Sequence, residues 1–175
     1  MELRQLGRTD ISISPIGLGC VTFGREIDEE SSYRILDYAM EQGISWFDTA
    51  EAYGGGNARN YRRNVLGVDD VRETTGDEGS SELIMGRWMK DRGCRDKMVI
   101  CSKVSTGNSP ENIESAMMAS LERLQIDRVD IYELHSPDEK VPIAESLDAL
   151  AAHVHAGRAD VIGCSNFTEP LLREA

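Results

Sequence analysis

The stretch Met98-Val99-Ile100-Cys101-Ser102-Lys103 is an almost unbroken apolar run that ends on a cation. A β-strand covered on both faces reads this way, whereas a strand with one wet face alternates. The same form recurs along the chain. Ile44–Phe47 runs into Asp48, Val129–Leu134 into His135, and Ala159–Cys164 into Ser165-Asn166, with Ile13–Gly19 as the first of the series. Between these runs lie helical patterns. Glu29–Gln42 sets Ile35, Leu36, Ala39 and Met40 on one face before Gly43. Ser109-Pro110 is an N-cap followed by proline at the first helical position, and Ile113, Ala116, Met117, Leu121 and Leu124 form the stripe behind it. Pro142 opens a further helix carrying Ile143, Leu147, Leu150, Ala151 and Val154 as far as Gly157.

The strand ends fall near residues 20, 48, 103, 135 and 164, at intervals of 28, 55, 32 and 29. Three of these match a βα unit of about thirty residues. The fourth is longer by roughly 25, which predicts a loop insertion over 55–78 after the second strand. That stretch is rich in Gly, Asn, Arg and Asp and includes Arg59, Arg62 and Arg63. The basic cluster reads as a solvated loop face, with cover of an active site or contact with an anionic substrate as the alternative. Alternating βα units build either a doubly wound sheet or a barrel. A dinucleotide fingerprint needs G-x-G-x-x-G after the first strand, but Gly17-Leu18-Gly19-Cys20-Val21-Thr22 lacks the third glycine. The expected fold is therefore α/β of the (β/α)8 TIM-barrel type.

Composition removes several function classes. The 175 residues are 40% hydrophobic with a net charge of −12, which leaves no electrostatic footprint for nucleic acid or an anionic membrane. No apolar run approaches the roughly 18 residues of a spanning helix. The N-terminal MELRQLGRTD has no apolar core of a signal peptide, so the expectation is a soluble, cytoplasmic protein. Cys20, Cys94, Cys101 and Cys164 form no C-x-x-C, and they read as reduced and mostly buried. His153 and His155 are two apart and face different ways on a helix, so no metal site is expected.

In a barrel the residues just past the strands share one rim, where chemistry is built. Those positions hold Asp48, then Tyr53 in the following loop, Lys103, His135, and Ser165-Asn166. Taken singly, Asp48 reads as a turn residue or cap, Lys103 as a solvated lysine and His135 as a turn histidine. Together they suggest proton donation to a carbonyl. A free tyrosine, with a pKa near 10, is a poor acid at neutral pH. A neighbouring ammonium is expected to lower that pKa, and a carboxylate keeps a buried ammonium charged. Asp48, Lys103 and Tyr53 would form that chain, and His135 would orient the substrate oxygen.

These residues resemble those of the aldo-keto reductase superfamily. The matching stretches are Gly7-Arg8-Thr9, Ile16-Gly17-Leu18-Gly19, Phe47-Asp48-Thr49-Ala50-Glu51-Ala52-Tyr53-Gly54, Ser81-Glu82, Ser102-Lys103, Leu134-His135-Ser136-Pro137 and Gly163-Cys164-Ser165-Asn166-Phe167. The resemblance implies reduction of an aldehyde or ketone to an alcohol, with NADPH favoured and NADH as the alternative. It makes Tyr53 the general acid, Asp48 and Lys103 its tuning partners, and His135 the carbonyl-orienting residue. Ser165 and Asn166 would hold the nicotinamide carboxamide, and Thr22 and Phe23 would lie beside its ribose or the substrate. No metal is implied. Leu3–Ile13 corresponds to a hairpin under the barrel. A barrel of this type needs about 250 residues, so the chain reads as the first five βα units of one incomplete domain over 1–175. The 175-residue chain alone is then expected to bind NADPH weakly, to show negligible activity and to self-associate through its open edge. A regulatory reductase-like subunit, or an inactive fragment, is the alternative reading.

Overall fold

The computed structural model describes residues 1–55, 62–68, 77 and 79–175. Five strands form one sheet: β3 (Gly17–Gly19), β4 (Trp46–Asp48), β5 (Val99–Val104), β6 (Val129–Leu134) and β7 (Ala159–Cys164). Each is parallel to its neighbours, and their order in space is their order in the chain. A doubly wound sheet reverses order at a switch point. This one never does, so it is an arc of a barrel, as the sequence predicts.

Two short strands, β1 (Arg4–Gln5) and β2 (Ser12–Ile13), form an antiparallel hairpin ahead of the arc. Ser14 and Ser45 tie it to the start of β4. The Ser14 amide donates to Ser45 Oγ at 2.9 Å, and the Ser45 amide donates to Ser14 Oγ at 3.0 Å. The hairpin thus lies at the end of the sheet opposite the polar rim. The sequence run Ile13–Gly19 is not one strand: Ile13 closes the hairpin, and the barrel strand starts only at Gly17. Pro15 lies between them and has no N–H to give a ladder.

The helices α1 (Glu29–Glu41), α2 (Ser80–Arg92), α3 (Pro110–Leu124), α4 (Ile143–His155) and α5 (Glu169–Glu174) follow β3, β4, β5, β6 and β7 in turn. Asp28 caps α1 by accepting from the Ser31 amide, and Ser109 caps α3 by accepting from the Asn112 amide. The whole α3 stripe, Ile113, Ala116, Met117, Leu121 and Leu124, is buried against the sheet. In the described part of the 55–78 segment, residues 62–65 make a helical turn, Arg62 is half-buried and Arg63 is exposed. Arg59 lies outside the described residues.

The sequence pattern gave no sign of α2. Its buried positions include Ser80, Ser81, Glu82 and Gly86 as well as Ile84, Met85, Trp88 and Met89, so no apolar stripe stands out. Glu82 is 0% exposed. Its carboxylate accepts from Ser102 Oγ at 2.5 Å and from Arg123 Nε at 2.7 Å, which ties α2 to β5 and α3. At Gly86 a Cβ would stand 2.3 Å from the Arg123 carbonyl oxygen. Helices α2 and α3 therefore touch backbone to backbone. Among the described residues no helix is long and apolar enough to cross a membrane.

Candidate active site

Strand alternation aims every second side chain of the arc inward. The inward cleft, about 440 Å³, is lined by Gly17, Gly19, Trp46, Asp48, Tyr53, Lys103, Glu133, Cys164 and Ser165. Asp48 is the last residue of β4, in register with Cys101, and Lys103 is in register with Glu133 on β6. The chain after β4 keeps to β5: the Thr49 amide donates to the Cys101 carbonyl at 2.9 Å, and the Glu51 amide to the Lys103 carbonyl at 3.1 Å.

Tyr53 sits on a turn that the start of α2 holds down. The Ser81 amide donates to the Tyr53 carbonyl at 3.3 Å, and the Gly55 amide donates to Ser80 Oγ at 3.0 Å. Ser81 Oγ donates to the Cys20 carbonyl at 2.8 Å and lies 2.9 Å from Thr49 Oγ1. Between these anchors Gly54 has φ 100°, and a Cβ there would stand 1.9 Å from Ser80 Oγ. Only glycine fits both the left-handed backbone and the contact.

Lys103, 4% exposed, is the hub. Its ammonium donates to Asp48 Oδ1 at 2.5 Å, to the Thr49 carbonyl at 2.8 Å and to the Tyr53 hydroxyl at 3.5 Å. It also stands 4.7 Å from the Tyr53 ring centre. The His135 ring meets the Tyr53 ring edge-on, with centres 5.5 Å apart. His135 Nδ1 lies 2.7 Å from Ser105 Oγ. Asn166, in the left-handed region with φ 62°, donates through Nδ2 to the His135 carbonyl at 2.7 Å and to Ser165 Oγ at 3.2 Å. Asp48, Tyr53, Lys103, His135, Ser165 and Asn166 thus gather at one end of the arc.

Electrostatics differ from the sequence expectation at one point. Burial raises the Tyr53 pKa, and although Lys103 pulls it back, the net direction is up, where proximity to the ammonium alone predicted down. Burial opposes the Lys103 ammonium, but Cys101, Asp48 and Tyr53 around it outweigh burial and raise its pKa. The Cys101 thiol is itself pushed strongly up by burial and stays neutral, so Asp48 is the charge that holds Lys103. Burial, with Lys103 adding to it, lowers the His135 pKa and keeps the ring neutral at pH 7.

Two candidate ligand contacts from the sequence behave differently from the rest. Phe23 is 1% exposed and belongs to the apolar core, because its loop folds in under α2 with the Phe23 carbonyl accepting from Ser80 Oγ. Its side chain is not among those that line the cleft. Thr22 is half-buried, and its carbonyl accepts from the amides of Arg25, Glu26 and Ile27. Glu133 went unnoticed in the sequence. It lies on β6 and lines the cleft two residues before His135, which follows the strand end, a period-2 spacing that could have revealed it, and burial raises its pKa.

The Aldo/keto reductase family model matches residues 15–175. The chain belongs to that family. It is 33% identical to the Uncharacterized oxidoreductase YrpG of Bacillus subtilis (strain 168), covering 95% of this chain and 50% of that one. To Protein tas of Escherichia coli (strain K12) it is 32% identical, covering 96% of this chain and 53% of the relative. The chain spans about half the length of the curated relatives it matches. Among solved structures, the holo form of aldo-keto reductase AKR11C1 from Bacillus halodurans superposes with a TM-score of 0.78 at 29% identity, over 99% of this chain and 53% of that one. The thermostable aldo-keto reductase Tm1743, solved with the inhibitor epalrestat, gives 0.79 at 31% identity, over 100% of this chain and 57% of its own. The arc is accordingly about the first five βα units of an aldo-keto reductase (β/α)8 barrel, preceded by its hairpin.

Proposed function

We propose that this aldo-keto reductase chain serves the NAD(P)H-dependent reduction of an aldehyde or ketone to an alcohol, within one barrel-type domain to which 1–175 contribute and of which 55–78 is a loop insertion. The observation that carries this reading is the chain of contacts from Asp48 through Lys103 to the Tyr53 hydroxyl at the mouth of the cleft. Tyr53 is the general acid. Burial keeps its phenol protonated at neutral pH, and the Lys103 ammonium offsets the cost of the phenolate left after the proton has gone to the carbonyl oxygen. Asp48 keeps Lys103 charged for that role. His135, neutral and edge-on to Tyr53, donates a hydrogen bond to the same oxygen and orients it.

The residues present suit the nicotinamide end of a dinucleotide. Gly17 and Gly19 leave the cleft floor without side chains, Ser165 lines it, and the Asn166 amide is bonded to Ser165 Oγ through Nδ2. Ser165 and Asn166 would hold the carboxamide, with Thr22 near the ribose. NADPH is preferred to NADH on family habit. When bound, the cofactor supplies the hydride that reduces the carbonyl carbon. The substrate is a small carbonyl compound, and neither nucleic acid nor a membrane is a partner.

The test is reduction of an aldehyde panel with NADPH by a complete barrel that includes residues 1–175 and by its Tyr53→Phe variant. Phenylalanine keeps the ring but has no proton to give. Turnover should fall by about a hundredfold or more with cofactor affinity retained. A variant that keeps more than about a tenth of wild-type turnover, with chemistry rate-limiting, would refute the role of Tyr53.

A further inference from the structure

Ser105 lies two residues past Lys103, just beyond the end of β5, and its hydroxyl is 2.7 Å from His135 Nδ1. That is the only hydrogen bond of the Ser105 side chain among the described residues. The Ser105 backbone is fixed in turn. Its amide donates to Glu51 Oε2 at 2.8 Å, and Thr106 Oγ1 donates to the same carboxylate at 3.2 Å. Glu51 is itself buried in the loop that carries Tyr53, and its amide donates to the Lys103 carbonyl. The loop that carries Tyr53 is therefore tied, through the Glu51 carboxylate, to the backbone of the residue that partners His135.

A neutral imidazole has one donor and one acceptor nitrogen, and the bond made by one decides the state of the other. If Nδ1 carried the proton, it would donate to Ser105 Oγ, and the serine proton would have no protein acceptor. If Ser105 donates to Nδ1, both groups are satisfied and Nε2 carries the proton. Nδ1 is committed in either case, so Nε2 is the nitrogen left for a ligand. We infer that Ser105, held by Glu51, is a positioning residue that fixes His135 as the Nε2–H tautomer, so that the ring donates to a carbonyl oxygen in the cleft.

The inference rests on the role given to His135 above, but its first readout does not depend on activity. Nitrogen NMR of the histidine-labelled protein, with His135 assigned from the His135→Gln variant, should show Nε2 protonated and Nδ1 bare. Ser105→Ala should mix the two tautomers, and Ser105→Thr, which keeps the hydroxyl, should restore the wild-type pattern. Glu51→Gln should loosen the same preference with Ser105 intact. In aldehyde reduction Ser105→Ala should lower kcat by about ten- to a hundredfold while leaving the KM for NADPH unchanged, and threonine should recover most of the loss. A wild-type Nδ1–H tautomer, or a Ser105→Ala protein with wild-type tautomer and kcat, overturns the inference. If no aldehyde is reduced by the complete wild-type barrel that includes residues 1–175, the proposed function falls, and the tautomer measurement still decides the part played by Ser105.

Discussion

Replacing Asp48 with Asn isolates the charge that holds Lys103. The isostere keeps an oxygen able to accept from the ammonium, and the Thr49 carbonyl at 2.8 Å stays in place, so the change removes charge and little else. Breaking a fully buried pair costs about 3–5 kcal/mol. The Asp48 side chain is 29% exposed against 5% for Lys103, which screens part of that attraction, so about 2–3 kcal/mol is expected. At a denaturant slope of about 2 kcal/mol/M, the urea midpoint at pH 7 falls by about 1 M. The pH dependence carries a sign. In the wild type the folded Lys103 pKa lies above 10.5, so its stabilisation is complete below that value and is lost as pH rises through the folded pKa. In Asp48→Asn burial dominates and the folded pKa drops below the unfolded one. The folded variant then sheds its proton first, and its deficit shrinks as pH rises toward 10.5. Urea titrations at pH 7 and about pH 9.5 measure both effects. A gap under about 0.5 kcal/mol at pH 7, or a gap that widens with pH, would show that Asp48 is not what keeps Lys103 charged.

Gly86→Ala sets helix propensity against packing. Alanine gains about 1 kcal/mol in a helix interior, but its Cβ meets the Arg123 carbonyl at 2.3 Å and Leu124 backbone atoms at 2.7 and 2.8 Å, none of which can swing away. Overpacking of this kind costs about 1–3 kcal/mol or more; the urea midpoint should fall, and a midpoint equal to or above wild type would mean that α2 and α3 can part cheaply. Because burial lowers the His135 pKa, the acid limb that His135 gives to aldehyde reduction by a complete barrel at saturating cofactor should have its midpoint below 6.5. An acid limb assigned to His135 by its loss in His135→Gln, with a midpoint above 6.5, would contradict a neutral, buried ring.

Much of the molecule was legible from short-range rules. Apolar runs of strand length, a helix cap at Ser109, a helix opened by Pro142 and an interval near thirty residues are local properties, and they specify a βα repeat. The polar residue that ends each run marks the rim, which is why Asp48, Lys103, His135 and Ser165-Asn166 could be singled out without coordinates. Tertiary structure decided what depends on groups distant in the chain. Helix α2 is built around Glu82, a carboxylate that is tolerable in the interior only because Ser102 and Arg123 come to it from other elements. No period in the sequence can display such a partner. Phe23 looked available for a ligand and is in the core, since which side of a loop turns inward is set by what packs over it, here the start of α2. The Tyr53 pKa moves up rather than down because burial is a property of the assembled cleft, while the nearness of an ammonium is all that a motif can suggest. Sequence named the groups able to move a proton. The fold set how dry each of them is and which neighbour fixes its charge.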